Sequence, residues 1–299
     1  MKTLNKIFAT ISLTIVSAVA VAQNINSINP PASQFFSNKY ISNPAQAGAG
    51  TLTGLKSTVS YVGQMEAIPG SPSTRLLTLD YKYNGNVGLG LLISKESAGL
   101  FNNTRVMGSY AYKVDFNEAG TTNLRLGFSF GFSRQMIDLG QINALPGDAA
   151  AVFYNNREAL LDADMGFVYT NRNFTLEGAA QNLRRTMEKS YTTEADFNLF
   201  YAAMSYNIKL NNEINVTPKF AYRGVKNYDN IADIGAEISF KEPLKLMAMY
   251  HTTKSISMGF NYNRNNRWQF YGFYTTPTRV LVGLNAGGFE MGVQLRMGK

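Results

Sequence analysis

The sequence predicts an all-β protein: a transmembrane antiparallel β-barrel of about fourteen strands, preceded by a cleaved export signal and a short N-terminal segment. Three observations carry this reading. Apolar and polar residues alternate with a period of two through most of the chain after residue 50, which puts successive side chains on opposite faces of a strand. Turn-forming residues punctuate the alternation so that about 9–12 residues remain between them, the length a tilted strand needs to cross a bilayer. Behind the leader, no stretch reaches the ~18 consecutive apolar residues of a membrane-spanning helix.

Composition narrows the function classes. The 299 residues are 45% hydrophobic and 12% aromatic but only 16% charged, with no Cys and a single His. Such a chain buries ample apolar surface, so disorder is excluded. Without Cys there is no disulfide framework, thiolate nucleophile or Cys-ligated metal, and one imidazole, His251, excludes a His-rich centre. No cofactor or metal is expected. The formal net charge of +8 falls by two when Lys2 and Lys6 leave with the leader. The remaining basic residues are scattered rather than clustered, which argues against nucleic acid as a partner.

Residues 1–22 read as a signal peptide. Lys2 and Lys6 form the basic start, Ile7 to Val21 the apolar run, and Ala20-Val21-Ala22 the small-x-small cleavage pattern. The run is shorter than a spanning helix needs and has no basic flank behind it. No Cys stands at the cleavage point, so a lipid-anchored mature end is not expected. Residues 23–53 form a periplasmic segment or plug, and residues 54–299 the barrel.

Fifteen strand segments are legible, near 55–64, 73–83, 87–95, 103–115, 122–137, 161–171, 173–181, 197–210, 213–224, 231–240, 243–251, 254–263, 267–275, 279–285 and 289–297. The fifth is the clearest: Leu124, Leu126, Phe128, Phe130 and Phe132 alternate with Arg125, Gly127, Ser129, Gly131 and Ser133. Single-chain bacterial barrels have even strand numbers, so fourteen is the expected count, with 55–64 and 279–285 the weakest segments. Asn84-Gly85-Asn86, Asn171-Arg172-Asn173, Asn211-Asn212 and Asn263 to Asn266 supply hairpin chemistry. The stretches 138–160 and 182–196 are expected as extracellular loops. Tyr81, Tyr83, Tyr110, Tyr112, Tyr271 and Tyr274 suit interfacial girdles. The polar, glycine-rich opposite face reads as a wet barrel interior. A secreted β-sandwich would share the alternation but uses strands near 5–6 residues.

A resemblance enters at Gln34-Phe35-Phe36 and Tyr40 to Gly48, where Asn43-Pro44-Ala45 is followed by Gly48. This is similar to the opening of the PorP/SprF family, with its Asn-Pro-Ala-x-x-Gly element before the first strand. The likeness continues through Asn86-Val87-Gly88-Leu89-Gly90, Tyr110-Ala111-Tyr112-Lys113, Gly127 and Gly288-Phe289-Glu290. Two places depart: Tyr61-Val62-Gly63-Gln64-Met65 stands where the family carries Arg-x-Gln-Trp, and Leu295 to Lys299 lacks a terminal aromatic. The resemblance implies a fourteen-stranded barrel in the outer membrane of a Gram-negative bacterium, serving the type IX secretion system. Its implied partners are outer-membrane lipids, periplasmic secretion subunits and exported proteins with a type-B C-terminal sorting domain. Gln34, Phe35, Phe36, Asn43, Pro44 and Gly48 are then candidate partner contacts on the periplasmic side, and Phe153 and Tyr154 on the outside.

Candidate chemistry is sparse. His251, near Thr252, Thr253 and Ser255, invites a Ser-His hydrolase reading. However, the Gly-x-Ser-x-Gly string from Gly127 to Gly131 lies inside the alternating fifth strand segment and forms no strand-to-helix elbow, and a surface or girdle histidine is the plainer expectation. Asp162 and Asp164 share one strand face and could hold Ca²⁺, though lumen lining explains them as well. Gly88-Leu89-Gly90 is no phosphate loop, because no helix and no Lys-Ser/Thr pair follow. A passive porin-like channel is the alternative to an accessory secretion barrel.

Overall fold

The structure, a computed structural model, describes residues 31–50, 54–64, 70–138, 149–184, 198–225, 230–241, 243–277 and 287–298. The leader, the 279–285 segment and most of the two long loops lie outside the described residues. Fourteen antiparallel strands run in order around a closed barrel. They are β1 (Gly54–Gln64), β2 (Ser73–Lys82), β3 (Val87–Ala98), β4 (Phe101–Asp115), β5 (Thr122–Ile137), β6 (Leu160–Asn171) and β7 (Phe174–Ala180). The circuit continues with β8 (Asn198–Tyr206, resuming at Ile208–Lys209), β9 (Ile214–Val225), β10 (Ile231–Phe240), β11 (Leu244–His251), β12 (Ile256–Arg264), β13 (Trp268–Thr275) and β14 (Gly288–Met297). The seam closes where β1 pairs with β14, from Leu55 opposite Met297 to Gln64 opposite Gly288. Closure leaves no sheet edge, which a lipid environment requires.

The outward faces are those that the alternation marks. On β5, Leu126, Phe128, Phe130 and Phe132 are exposed, while Arg125, Ser129 and Ser133 turn inward and are buried. The same holds for Ile256, Met258, Phe260 and Tyr262 on β12. Joins at one end, such as 83–86, 172–173 and 265–267, are short. The long connections 138–159, 181–197 and 276–287 all lie at the other end, which by that asymmetry is extracellular.

The turns work by two mechanisms. Asn265 and Asn266 both hold positive φ (53° and 54°), as a tight hairpin demands. At 84–87 and 211–214 the Asn side chain does the work instead. Asn84 Oδ1 accepts from the Asn86 and Val87 amides, and Asn211 Oδ1 accepts from Glu213 and Ile214. Between Asn171 and Asn173 it is Arg172 that adopts positive φ. The interruption of β8 at Asn207 falls beside Pro218, which has no N–H for the ladder; Asn207 Nδ2 donates to Thr217 Oγ1 instead. Tyr271 departs from its expected girdle position: it faces the lumen and is buried, because Phe270 and Tyr274 hold the outward register of β13.

With lipid on the outer face, Phe130→Arg is expected to cost about 2–4 kcal/mol in a vesicle folding titration. Ser129→Arg is not the tolerant counterpart that a wet lumen would make it. The Ser129 hydroxyl bonds Ser109 and lies under packed protein, so this variant should lose native packing of the interior rather than barrel insertion.

Candidate functional site

The lumen is occupied by the chain's own N-terminal segment. From Pro31 to Gly50 it makes one turn of helix, α1 (Ser33–Phe36), and two 3₁₀ turns (Lys39–Ile41 and Pro44–Gln46). Asn43 starts the second of these as the sequence chemistry requires: its backbone is extended (φ −148°, ψ 115°) ahead of Pro44, and its Oδ1 accepts from the Ala45 amide at 2.9 Å.

Such an irregular segment exposes backbone groups that strands would satisfy for themselves, and each needs a partner in the wall. Arg125 of β5 donates from Nε to Ala45 O (2.9 Å) and from Nη2 to Ala47 O (2.6 Å). Lys219 of β9 donates to Phe35 O (2.8 Å) and to Glu177 of β7 (2.6 Å), whose second oxygen accepts from Gln46 Nε2 (2.7 Å). Asn43 Nδ2 donates to the carbonyls of Phe167 and Gly178. Glu290 of β14 accepts the Ser33 amide at 3.0 Å, and Asn38 Nδ2 donates to Thr78 of β2. Tyr40 OH and Ser109 Oγ of β4 lie 2.6 Å apart. Burial pushes the Tyr40 phenol well above its usual range, so this contact is between neutral hydroxyls.

Apolar packing completes the seat. Phe35, 1% exposed, packs on Tyr201, Ala203, Ala221 and Met249. Tyr40 and Ala47 pack on Leu92, Met107 and Ala111. Inward glycines make the room. A Cβ on Gly127 would collide with the backbone of Pro44 and Ala45, one on Gly90 with the Tyr40 ring, and one on Gly88 with Ala47 O. The glycine-rich inner face is thus a moulded bed for residues 40–47, where the sequence reading expected water.

Gln34, Phe35, Asn43, Pro44 and Gly48 are accordingly buried inside the barrel, with Phe36 half-buried. At the outer end, α2 (Ala149–Asn155) leaves Phe153 73% exposed. Tyr154 is tied down by Gln135 (2.7 Å), the Phe101 ring and the Arg157 guanidinium. Asp162 and Asp164 line the lumen and share Arg105, which already supplies the positive charge a cation would bring.

His251 is not a surface or girdle residue. It is 1% exposed in the outer half of the lumen, its ring 5.9 Å from that of Phe35. Nδ1 lies 2.6 Å from Asp233 Oδ1 and Nε2 2.8 Å from Ser257 Oγ, which is 2.7 Å from Thr275 Oγ1. Asp233 also takes the Arg223 guanidinium at 2.9 Å. Sequence reasoning missed this set because its members are spread over β9, β10, β11, β12 and β13. The alternation places each of them on the inward face, and that was the available signal.

Comparison with known proteins decides the family. Residues 24–295 match the family described as type IX secretion system membrane protein PorP/SprF. The chain belongs to the PorP/SprF family. It is an outer-membrane β-barrel protein, and solved outer-membrane barrels share its architecture. The CymD monoaromatic hydrocarbon channel aligns over 92% of this chain and 95% of its own at 12% identity and a TM-score of 0.53. The Omp33 outer membrane protein of Acinetobacter baumannii aligns over 82% and 98% at 7% identity and a TM-score of 0.50. At such identities the likeness is one of fold alone. Among curated proteins, no sequence matches. Within this PorP/SprF protein the family-like motifs all meet the lumen segment: Gly88, Gly90, Ala111 and Gly127 underlie it, and Glu290 holds its start.

Two expectations follow from the seat. Lys219→Ala leaves Glu177 buried without its cation and should cost about 3–5 kcal/mol in urea unfolding of the refolded barrel. Gly127→Val should drive residues 44–45 off the wall, and limited proteolysis should then cut within 31–50 while leaving that region of the wild type intact.

Proposed function

We propose that this protein is a non-enzymatic, non-conducting accessory barrel that assists export or surface attachment of proteins carrying a type-B C-terminal sorting domain. The carrying observation is the family match across 24–295. The occupied lumen supports the same reading over the porin alternative, since a segment held by Arg125, Lys219 and Glu290 stands in the path of any solute. On this reading the segment 23–53 acts as a structural plug, and the secretion subunits dock on the short turns of the periplasmic end. Phe153 is the aromatic anchor for an exported client, the residue type that dominates interface energies.

The test pairs recording with genetics. Intact protein in planar bilayers should be silent, and deletion of residues 24–50 should open steady conductance. In cells, the same deletion and Phe153→Ala should each reduce surface display of a sorting-domain client. Steady conductance from intact protein with normal display in the deletion strain would overturn the proposal in favour of a porin.

The Asp233–His251–Ser257 order favours a second reading, a lumenal hydrolase, because these are the contacts of an activated nucleophile. Ser257→Ala removes the hydroxyl and leaves the Asp233–Arg223 pair in place. On the accessory reading display persists in this variant; its loss, with the barrel folded, would restore a catalytic role.

A further inference from the structure

The outer wall carries a feature that uniform contact with lipid does not explain. Arg75 of β2 and Lys95 of β3 stand directly opposite each other in register, both on the outward face and both exposed. Glu96, next to Lys95, turns to the opposite face by alternation. Neither cation has an ion-pair partner among the described residues. Like charges directly opposite on neighbouring strands repel. The same register row continues through Thr104 to Arg134, adding a third cation and no acid.

Position and shape supply the rest. Arg75 lies near the extracellular start of β2, with Leu77 and Leu79 following on the outward face and the exposed Tyr81 and Tyr83 at the far border. The cations therefore sit at the outer-leaflet headgroup level. An apolar groove of about 750 Å³ opens beside them, lined by Val59, Tyr61, Leu77, Phe270, Met291 and Val293 together with Arg75 and Lys95.

We propose that this groove seats a phosphorylated glycolipid of the outer leaflet, its phosphate on Arg75 and Lys95 and an acyl chain along the groove. Both side chains recognise phosphate, Arg through its planar fork and Lys as a point charge. A zwitterionic headgroup has no net charge and offsets the repulsion of the two cations less than an anionic one. Anionic lipid removes that repulsion, and the apolar lining accepts the chain.

The test is native mass spectrometry of the full barrel incubated with diphosphoryl lipid A or with its dephosphorylated form. Wild type should retain the phosphorylated lipid and shed the dephosphorylated one. The double variant Arg75→Gln/Lys95→Gln should bind the phosphorylated lipid about thirtyfold more weakly, the loss expected for two basic residues facing an anionic lipid. Arg75→Lys, which keeps the charge but loses the fork, should bind more tightly than the double variant. Lys209→Gln, at the periplasmic end, should bind like wild type, and unchanged heat-dependent gel mobility certifies that each variant folds. Equal retention by the double variant, or equal binding of the dephosphorylated lipid by wild type, would overturn the proposal. So would loss of a co-purifying secretion subunit from the double variant with lipid retention unchanged, which would mark the groove as a protein-docking surface.

Discussion

The structure depends on one constraint: an irregular stretch of backbone lies inside a closed barrel, and its polar groups must be satisfied by the wall. A strand satisfies itself through its neighbours, but Phe35, Ala45 and Ala47 present carbonyls to a packed interior. Each unmet group there would cost about 1–3 kcal/mol. The wall answers with charged donors, Arg125 and Lys219, whose hydrogen bonds are stronger than neutral ones. Lys219 itself needs an anion, and Glu177 supplies it while also taking Gln46. The buried charges of the lumen form a chain of obligations that begins with three carbonyls.

The same constraint explains the inward small residues. A strand wall with ordinary side chains would hold the segment too far away for Arg125 to reach two carbonyls. Gly88, Gly90 and Gly127 let the backbone of residues 40–47 approach, and Ala111 leaves space for Tyr40 and Ala47. Glycine is poor in a strand interior, losing packing and costing entropy, so its placement on the inward face of β3 and β5 is offset by what it admits. The motif of residues 43–48 and the glycines across the lumen are two halves of one interface.

This is also why the sequence shows the outside of the barrel more plainly than the inside. Lipid imposes one rule on every outward position, and Phe128, Phe130, Met258 and Phe260 obey it, so strand limits and facing emerge from alternation to within about three residues. The lumen imposes no such rule: Arg125, Glu177 and Lys219 would serve equally well in water or against a packed chain. What distinguishes the packed case is the clustering of inward glycines, a pattern that acquires meaning only when strand order places them around residues 40–47. Tyr271 and His251 show the same difficulty. A tyrosine in an aromatic-rich strand and a histidine at a hairpin carry surface chemistry in isolation, and only the register of β13 and the meeting of β10, β11 and β12 turn them inward.

The seat of the segment and the seam of the barrel share residues. The segment precedes β1 directly, and β1 completes the circuit by pairing with β14. Glu290, which accepts the Ser33 amide, belongs to that same closing strand, opposite Val62. Tyr40 and Asn43 meanwhile engage β4, β6 and β7 across the lumen. Without the segment, Lys219, Glu177 and Glu290 would face an open lumen and lose its contacts, and without the wall the segment would lack these donors for its carbonyls. The last strand pairing and the last lumen contacts stabilise each other. The N-terminal motif therefore stabilises the closed barrel, although no strand passes through it and the seam itself closes through β1 and β14.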